Sequence, residues 1–238
     1  MKTVETTKKT SGGVRVGLAS VLALGLLGVA RADSISYTAS IPNEDTVWNH
    51  VVNIPRFDSS LGTLLTITFQ LTGNATGDAM FENKSTTASM LVTSEQTATI
   101  SLMRPDLTTL VQVVPLATTV DTMPTYDGVL DYAGTSGKTY TGLSASLVNT
   151  VTLSSITASD MALFVGAGNI ALPATATGGG TLSNVGGKLN GEVTTQAGAG
   201  VRVTYTYQVV AVPDAGSTWV LLLTGLAMLP IGALRRKV

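Results

Sequence analysis

The 238-residue chain has no cysteine, so no disulfide can staple it, and a domain built from it must hold together through its core alone. It has a single histidine, His50. A zinc site assembled from several His and Cys ligands is therefore excluded by counting. Charged residues make up only 12% of the chain and aromatic residues 5%, which suits neither a nucleic-acid binder nor a typical cytosolic enzyme. Between residues 33 and 211 no segment carries a sustained helical period. Phosphate-loop spacing is missing too. Gly178, Gly179 and Gly180 lack the flanking pattern, and Gly187-Lys188 is followed by Leu189 where a P-loop needs Ser or Thr.

What is present is alternation. In residues 64–72, Leu65, Ile67, Phe69 and Leu71 share one face while Thr66, Thr68, Gln70 and Thr72 take the other, the pattern of a half-buried strand. The segment 73–78 reads as a turn and 79–82 as a partner strand. Residues 89–93 and 97–103 read as two strands with Ser94-Glu95-Gln96 as a tight connection. Residues 110–114 form another strand, stopped by Pro115; 151–155, 163–165 and 170–172 are shorter ones. Residues 201–209 are the clearest late strand, with Val201, Val203, Tyr205, Tyr207 and Val209 on its apolar face. The segment 175–200, rich in Gly, Thr, Ala and Asn, reads as a long hairpin or a loosely ordered loop. Abundant threonine suits strand positions that face water. The expectation is an all-β fold, an antiparallel β-sandwich of jelly-roll or Ig-like type.

Both ends of the chain differ from this middle. Lys2, Lys8, Lys9 and Arg15 give a basic start, residues 16–30 are apolar or small, and Ala30 and Ala32 stand where a signal peptidase reads small residues. Residues 1–32 are thus expected to be a signal peptide with a short apolar helix, cut after Ala32. At the other end, residues 218–234 carry no charge over 17 positions. As a helix they cover about 25 Å, close to a hydrocarbon core of about 30 Å. Trp219 sits at the outer end, and Arg235, Arg236 and Lys237 form a basic stop that resists translocation. A C-terminal transmembrane helix over 218–234 is expected. The middle, 33–211, is one domain carrying six basic residues against thirteen acidic ones, a formal charge of −7 that argues against nucleic acid and anionic lipid as partners.

Just before the apolar run stand Val212, Pro213, Asp214, Ala215, Gly216, Ser217 and Thr218. Motif, apolar run and basic end, in this order, resemble the PEP-CTERM family of bacterial sorting signals in its VPDSG-type variant, with Ala215 where the variant usually has serine. The resemblance implies that 212–238 is a sorting signal recognised by an exosortase, an integral-membrane transpeptidase-like enzyme, and that Val212, Pro213, Asp214, Gly216, Ser217 and Thr218 are its substrate motif. A second resemblance lies in the domain. Phe57, Asp58, Ser59, Ser60, Leu61, Gly62, Thr63 and Leu64 are similar to the FDPSLGTL signature of the choice-of-anchor E domains, with Ser59 in place of the common proline. Glu82-Asn83, Tyr126-Asp127-Gly128 and residues 132–137 fit the same family. It implies export and surface attachment and no defined chemistry.

Candidate chemistry is sparse. His50 has no nucleophile beside it in sequence. Glu44 and Asp45 near Trp48 suggest a carbohydrate-processing acid with an aromatic platform, but adjacent residues on a strand point apart. Asp121, Asp127 and Asp131 form the densest acidic stretch, where calcium or plain turn chemistry are the alternatives. Asn74 and Asn83 head N-x-S/T sequons. No catalytic, cofactor or metal residue is assigned. The sequence points to a non-enzymatic, exported cell-surface or extracellular-matrix protein of a bacterium, structural or adhesive, held at the membrane by its tail until processed. Its expected partners are signal peptidase, an exosortase-like enzyme and extracellular polysaccharide; the alternative is a carbohydrate- or calcium-binding surface module.

Overall fold

A computed structural model describes residues 31–209. The expected signal segment through Ala30, the motif from Val212 to Thr218, the span 218–234 and the basic stop at Arg235, Arg236 and Lys237 lie outside the described residues. Among the described residues no helix is long and apolar enough to cross a membrane. Ala32, the second residue of the expected cleavage pair, opens the first strand.

Among the described residues ten strands form two antiparallel sheets facing each other. They are β1 (Ala32–Asp45), β2 (Trp48–Pro55), β3 (Gly62–Asn83), β4 (Met90–Met103), β5 (Thr109–Val113), β6 (Leu116–Met123), β7 (Gly137–Leu153), β8 (Asn169–Gly186), β9 (Leu189–Val193) and β10 (Gln196–Val209). The first sheet runs β1-β10-β3-β7, with β9 also on β3; the second runs β2-β8-β4-β5, with β6 also on β4. The two sheets share a plan. A long central strand, β3 or β4, has one long partner on one side, β7 or β8, and on the other two collinear ones, β10 and β9 or β5 and β6. In the second sheet Pro115 breaks the collinear pair, because proline cannot donate to the ladder. The chain changes sheet at every connection except β4–β5, β5–β6 and β9–β10.

The first and last strands are neighbours. Ala32 lies opposite Gln208, and the Val209 N–H donates to the Arg31 carbonyl at 3.0 Å. Both ends of the domain therefore emerge at one pole, with the connections 56–61, 104–108 and 154–168. The connections 84–89, 124–136 and 187–188 gather at the other.

The main core lies between the sheets. Ile67, Phe69 and Leu71 of β3 face Ile100 and Leu102 of β4, with Val201, Val203 and Tyr205 of β10 beside them. A smaller cluster of Phe81, Met90, Val92 and Met123 lies toward the pole remote from the termini. Between them β4 turns two buried polar residues inward, Ser94 and Gln96, and the Gln96 amide donates to the Ser94 hydroxyl at 3.3 Å.

Several expectations are corrected. The segment 73–78 is not a turn: β3 runs through it for 22 residues. Gly73 is there because a Cβ would sit 2.4 Å from Val113 Cγ2 and 2.8 Å from Ile100 Cδ1, so the position needs closeness, not a bend. Ser94-Glu95-Gln96 is no connection either, since β4 continues through it. Leu65 points outward at 38% exposure while Leu64 is buried at 8%. The pairing with β10 skips one residue between Thr206 and Tyr207, a bulge that moves Leu65 to the other face. Val209, expected on the apolar face of β10, is exposed at the strand's end. The segment 175–200 is well paired, in β8, β9 and β10, rather than a loose loop.

Residues 163–165 are not a strand. A helix, α1 (Ala158–Phe164), precedes a single parallel bridge from Val165 to Phe57. Thr157 caps it: its hydroxyl accepts from the Asp160 N–H at 3.2 Å, and Asp160 accepts in return from the Thr157 N–H at 3.1 Å. The buried Asp160 carboxylate also meets Arg104 Nη1 at 2.7 Å. Burial pushes this carboxyl up, but hydrogen bonds from Thr157 and the Arg104 charge outweigh it and hold it below the usual range. A lowered folded-state pKa gives stability that is present above about pH 4 and lost as pH falls through the folded value. Asp160→Asn, whose side-chain oxygen can still accept from the Thr157 N–H, is therefore expected to lower the thermal midpoint at pH 7, with the difference from wild type closing as pH falls below about 4. Thermal melts of both proteins across that window check it.

Candidate functional site

The outer face of the first sheet is an ordered polar surface. Strand register sets its residues in rows. Ser36, Thr204, Thr68 and Thr152 lie side by side on β1, β10, β3 and β7. The next row is Thr38, Arg202, Gln70 and Thr150, and the one after is Ser40, Gly200, Thr72 and Val148. On the other side lie Ser34, Thr206 and Thr66. Strands sit about 4.8 Å apart and every second residue repeats at roughly 7 Å, so the hydroxyls form a lattice. Some bond each other: Ser36 Oγ and Thr204 Oγ1 are 2.8 Å apart, and Thr68 Oγ1 and Thr152 Oγ1 2.9 Å. Gly200 carries no side chain, leaving a depression of about 370 Å³ edged by Thr38, Gln70, Thr72 and Arg202.

The pole remote from the termini is organised by two adjacent residues at the end of β3. Asn83, fully buried, donates from Nδ2 to the carbonyls of Ala88 at 2.8 Å and Pro124 at 2.7 Å. Its Oδ1 accepts from the N–H groups of Ser85 at 2.9 Å and Lys188 at 3.0 Å. One amide thus ties together all three connections at that pole. Glu82, also fully buried, accepts from the Tyr132 N–H at 2.8 Å and from the Ser136 hydroxyl. This fixes the 124–136 connection, including Tyr132 with its left-handed φ of 54°.

The sequence-derived candidates are distributed as follows. His50 and Glu44 meet, Nε2 to Oε2 at 3.0 Å, across β2 and β1, each about 40% exposed. Asp45 goes elsewhere, accepting from Gln196 Nε2 at 3.0 Å. Trp48 is no platform: it is buried, its indole donating to the Ala197 carbonyl at 2.9 Å. The three aspartates of the acidic stretch do not converge. Asp121 takes Lys138 and the Tyr140 hydroxyl, and that Asp121 hydrogen bond, followed by Tyr140, raises the Lys138 pKa. Asp127 accepts from the Val129 N–H at 3.0 Å, which leads the hydrogen bonds that hold its pKa low, and Asp131 accepts from the Ala133 N–H at 2.9 Å. Among the described residues no group of three or more His, Asp or Glu side chains is placed to share a metal. Gly180 is a close-approach position, where a Cβ would lie 1.8 Å from Val193 Cγ1. Of the two sequon asparagines, Asn74 lies on the outer face of β3, while the amide of Asn83 is fully engaged.

Two features were not foreseen. The hydroxyl lattice was half visible, as threonines on the outward face of residues 64–72, but its rows depend on register between strands far apart in sequence. The other is Arg56, at the pole of the termini. Its backbone N–H donates to the Gly168 carbonyl at 2.9 Å. It borders an open cleft of about 460 Å³ between 55–59 and 166–169. Tyr205 lies nearby, its hydroxyl donating to the Pro55 carbonyl at 3.0 Å. Burial pushes that phenol above its ordinary range, Tyr37 adds to the effect and Arg56 opposes it.

No family model matches the sequence, and no curated protein matches it. Among solved structures, a chain of infectious bursal disease virus, Gx strain, is 12% identical, with 82% of this chain and 48% of that one covered and a TM-score of 0.18. A chain of the VP2 subviral particle of the same virus is 12% identical, with 84% and 49% covered and a TM-score of 0.13. The chain spans about half the length of these structures. Overlap at such TM-scores is too slight to indicate shared architecture.

Proposed function

We propose that the chain is an exported bacterial protein of the cell surface or extracellular matrix, a non-enzymatic jelly-roll sandwich with a structural or adhesive role. The observation that carries this reading is the hydroxyl lattice on the outer face of the first sheet. A broad surface rich in threonine and serine, with Arg202 as the charge in its three central rows, can hydrogen-bond an extended polyhydroxylated polymer at many points. The strand order β1-β10-β3-β7 against β2-β8-β4-β5 and the repeated change of sheet support a jelly roll over an Ig-like plan.

The arrangement of the ends agrees with the delivery route read from the sequence. Arg31 and Val209 are neighbours, so a leader and a tail join the domain at one pole. A tail held at the membrane by 218–234, and processed near the motif from Val212 to Thr218 by an exosortase-like enzyme, leaves the sheet faces and the remote pole free. Signal peptidase would release the leader after Ala32, which loosens nothing beyond the first pairs of β1.

The test combines processing with binding. Protein made in its native host is fractionated, and both termini are read by intact mass. A form starting at Asp33 and ending between Val212 and Gly216 is expected at the surface or in the matrix. The same protein is expected to co-sediment with the host's extracellular polysaccharide, and a variant carrying Thr68→Val, Thr72→Val and Thr204→Val to lose that association while keeping its melting temperature. A surface form that retains Arg235, Arg236 and Lys237 overturns the exosortase route. Unchanged co-sedimentation of the triple variant overturns the role of the face.

A further inference from the structure

Among the described residues the two long strands at sheet edges are β1 and β7, each paired along one side. A strand edge offers a row of N–H and C=O groups to any further strand, and proteins usually block it with charge, proline, a bulge or shortness. β1 is blocked. It carries Asp33, Glu44 and Asp45, holds Pro42, and shifts register between Ile41 and Glu44. β2, β5, β6 and β9 are short, at five to eight residues. β7 has none of these devices. From Leu143 to Leu153 it pairs β3 over 11 residues without a register shift. That stretch has no proline, and no charged residue stands between Lys138 and Asp160.

The second side of this stretch is open. Among the described residues, the backbone of 143–153 pairs with no backbone other than that of β3. Every second residue directs its N–H and C=O away from that partner. Asn149 reaches over the edge, its Oδ1 accepting from the Thr150 N–H at 2.8 Å and its Nδ2 donating to the Gln112 carbonyl at 3.0 Å. The first of these is a bond between chain neighbours, which an arriving strand can replace. Leu147 and Val148 are 45% and 53% exposed at the same edge.

We propose that β7 pairs antiparallel with β7 of a second copy of this chain, about a two-fold axis at Val148, joining the first sheets of both copies into one. In that register Val148 meets Val148 on the outer face, Ser146 meets Thr150 and Ser144 meets Thr152. On the inner face Ala145 meets Val151 and Leu143 meets Leu153. Hydroxyls face hydroxyls and apolar side chains face apolar ones, with Leu147 opposite Asn149 as the mixed pair. A slip of one residue would set the inner face of one copy against the outer face of the other. Charge favours this edge for a like partner. Two domains of formal charge −7 repel each other, and the uncharged run of β7 lets them approach without placing like charges opposite one another. The paired stretch spans about 36 Å and takes Leu147 and Val148 out of water. The hydroxyl rows then continue across the axis, but the pairing does not depend on what that face binds.

The absence of cysteine supplies the test, since a single introduced thiol reports only its own contacts. The full chain in mild detergent, at about 100 µM, is treated with a short bismaleimide. Val148→Cys is expected to become mostly covalent dimer, and Thr38→Cys, exposed on β1, to cross-link about tenfold less. Val148→Lys sets two like charges opposite each other and should convert dimer to monomer in sedimentation velocity, with the melting temperature of the monomeric fold unchanged. Thr38→Lys should remain dimeric. Wild type that is monomeric at this concentration overturns the pairing. A Val148→Lys protein that stays dimeric overturns it as well, because the copies are then held by another segment, such as the C-terminal tail. Cross-linking through Thr38→Cys as strong as through Val148→Cys overturns the assignment to β7.

Discussion

Replacing Asn83 with alanine is expected to cost roughly 3–4 kcal/mol of unfolding free energy, from four hydrogen bonds at about 1 kcal/mol each. The amide bonds Ala88, Pro124, Ser85 and Lys188, so its loss loosens three connections at once. A change at an exposed loop end would let water replace the lost partner, but Asn83 is fully buried. Asn74→Ala supplies the comparison. It changes the same residue type on the same strand, on the outer face, and should stay within about 0.5 kcal/mol of wild type. Urea unfolding of the three proteins checks both values. If the two substitutions cost the same, Asn83 does not hold the pole together. Hydrogen exchange adds a local reading, since protection of the Ser85 and Lys188 amides should fall first.

The second large effect is at Phe164. It is fully buried and packs on Phe69, ring centres 5.4 Å apart, while its carbonyl accepts the Phe57 N–H. Phe164→Ala should cost about 3–5 kcal/mol, the usual range for emptying a buried aromatic site. A seven-residue helix does not persist on its own, so α1 depends on this anchor. Met161 on the same helix is exposed, and Met161→Ala should change little. The two halves of the prediction are linked. Once Phe164 is gone, Asp160 loses its fixed place beside Arg104, so the difference in acid dependence between Asp160 and Asp160→Asn should shrink when both are measured in the Phe164→Ala background. Equal acid dependence in the presence and absence of Phe164 would show that the helix stays docked without it.

These elements also mark how far the sequence could be read. Alternation identified the strands around Ile67, Phe69 and Leu71 and around Val201, Val203 and Tyr205, because one-sided burial writes a period of two directly into the chain. It failed where another demand occupied the same residues. Gly73 looked like a turn residue and is a close contact between sheets. Ser94 and Gln96 looked like a connection and are polar side chains turned into the interior. Leu65 was assigned inside because a bulge, which depends on β10, cannot be seen from β3 alone. α1 is too short to show a period in the sequence, although Thr157 and Asp160 stand at capping-box spacing. The candidate sites follow the same rule. The pairing of His50 with Glu44 spans six residues, and both are visible in one stretch of sequence. The hydroxyl rows join residues far apart in sequence, 168 positions in the case of Ser36 and Thr204, and only pairing register aligns them.

The adjacency of Arg31 and Val209 has a mechanical side. A pull applied between the two ends would open β1 from β10 like a zipper, one hydrogen bond at a time, starting from Ala32 and Gln208. A pull applied at the end of β10 and resisted along the outer face loads the strand lengthwise. β10 is flanked by β1 over residues 32–45 and by β3 over residues 62–76, so two ladders share that load at once. The same domain is therefore weak in one loading direction and strong in the other. Cutting the chain ahead of Asp33 removes the weak handle and leaves the strong one.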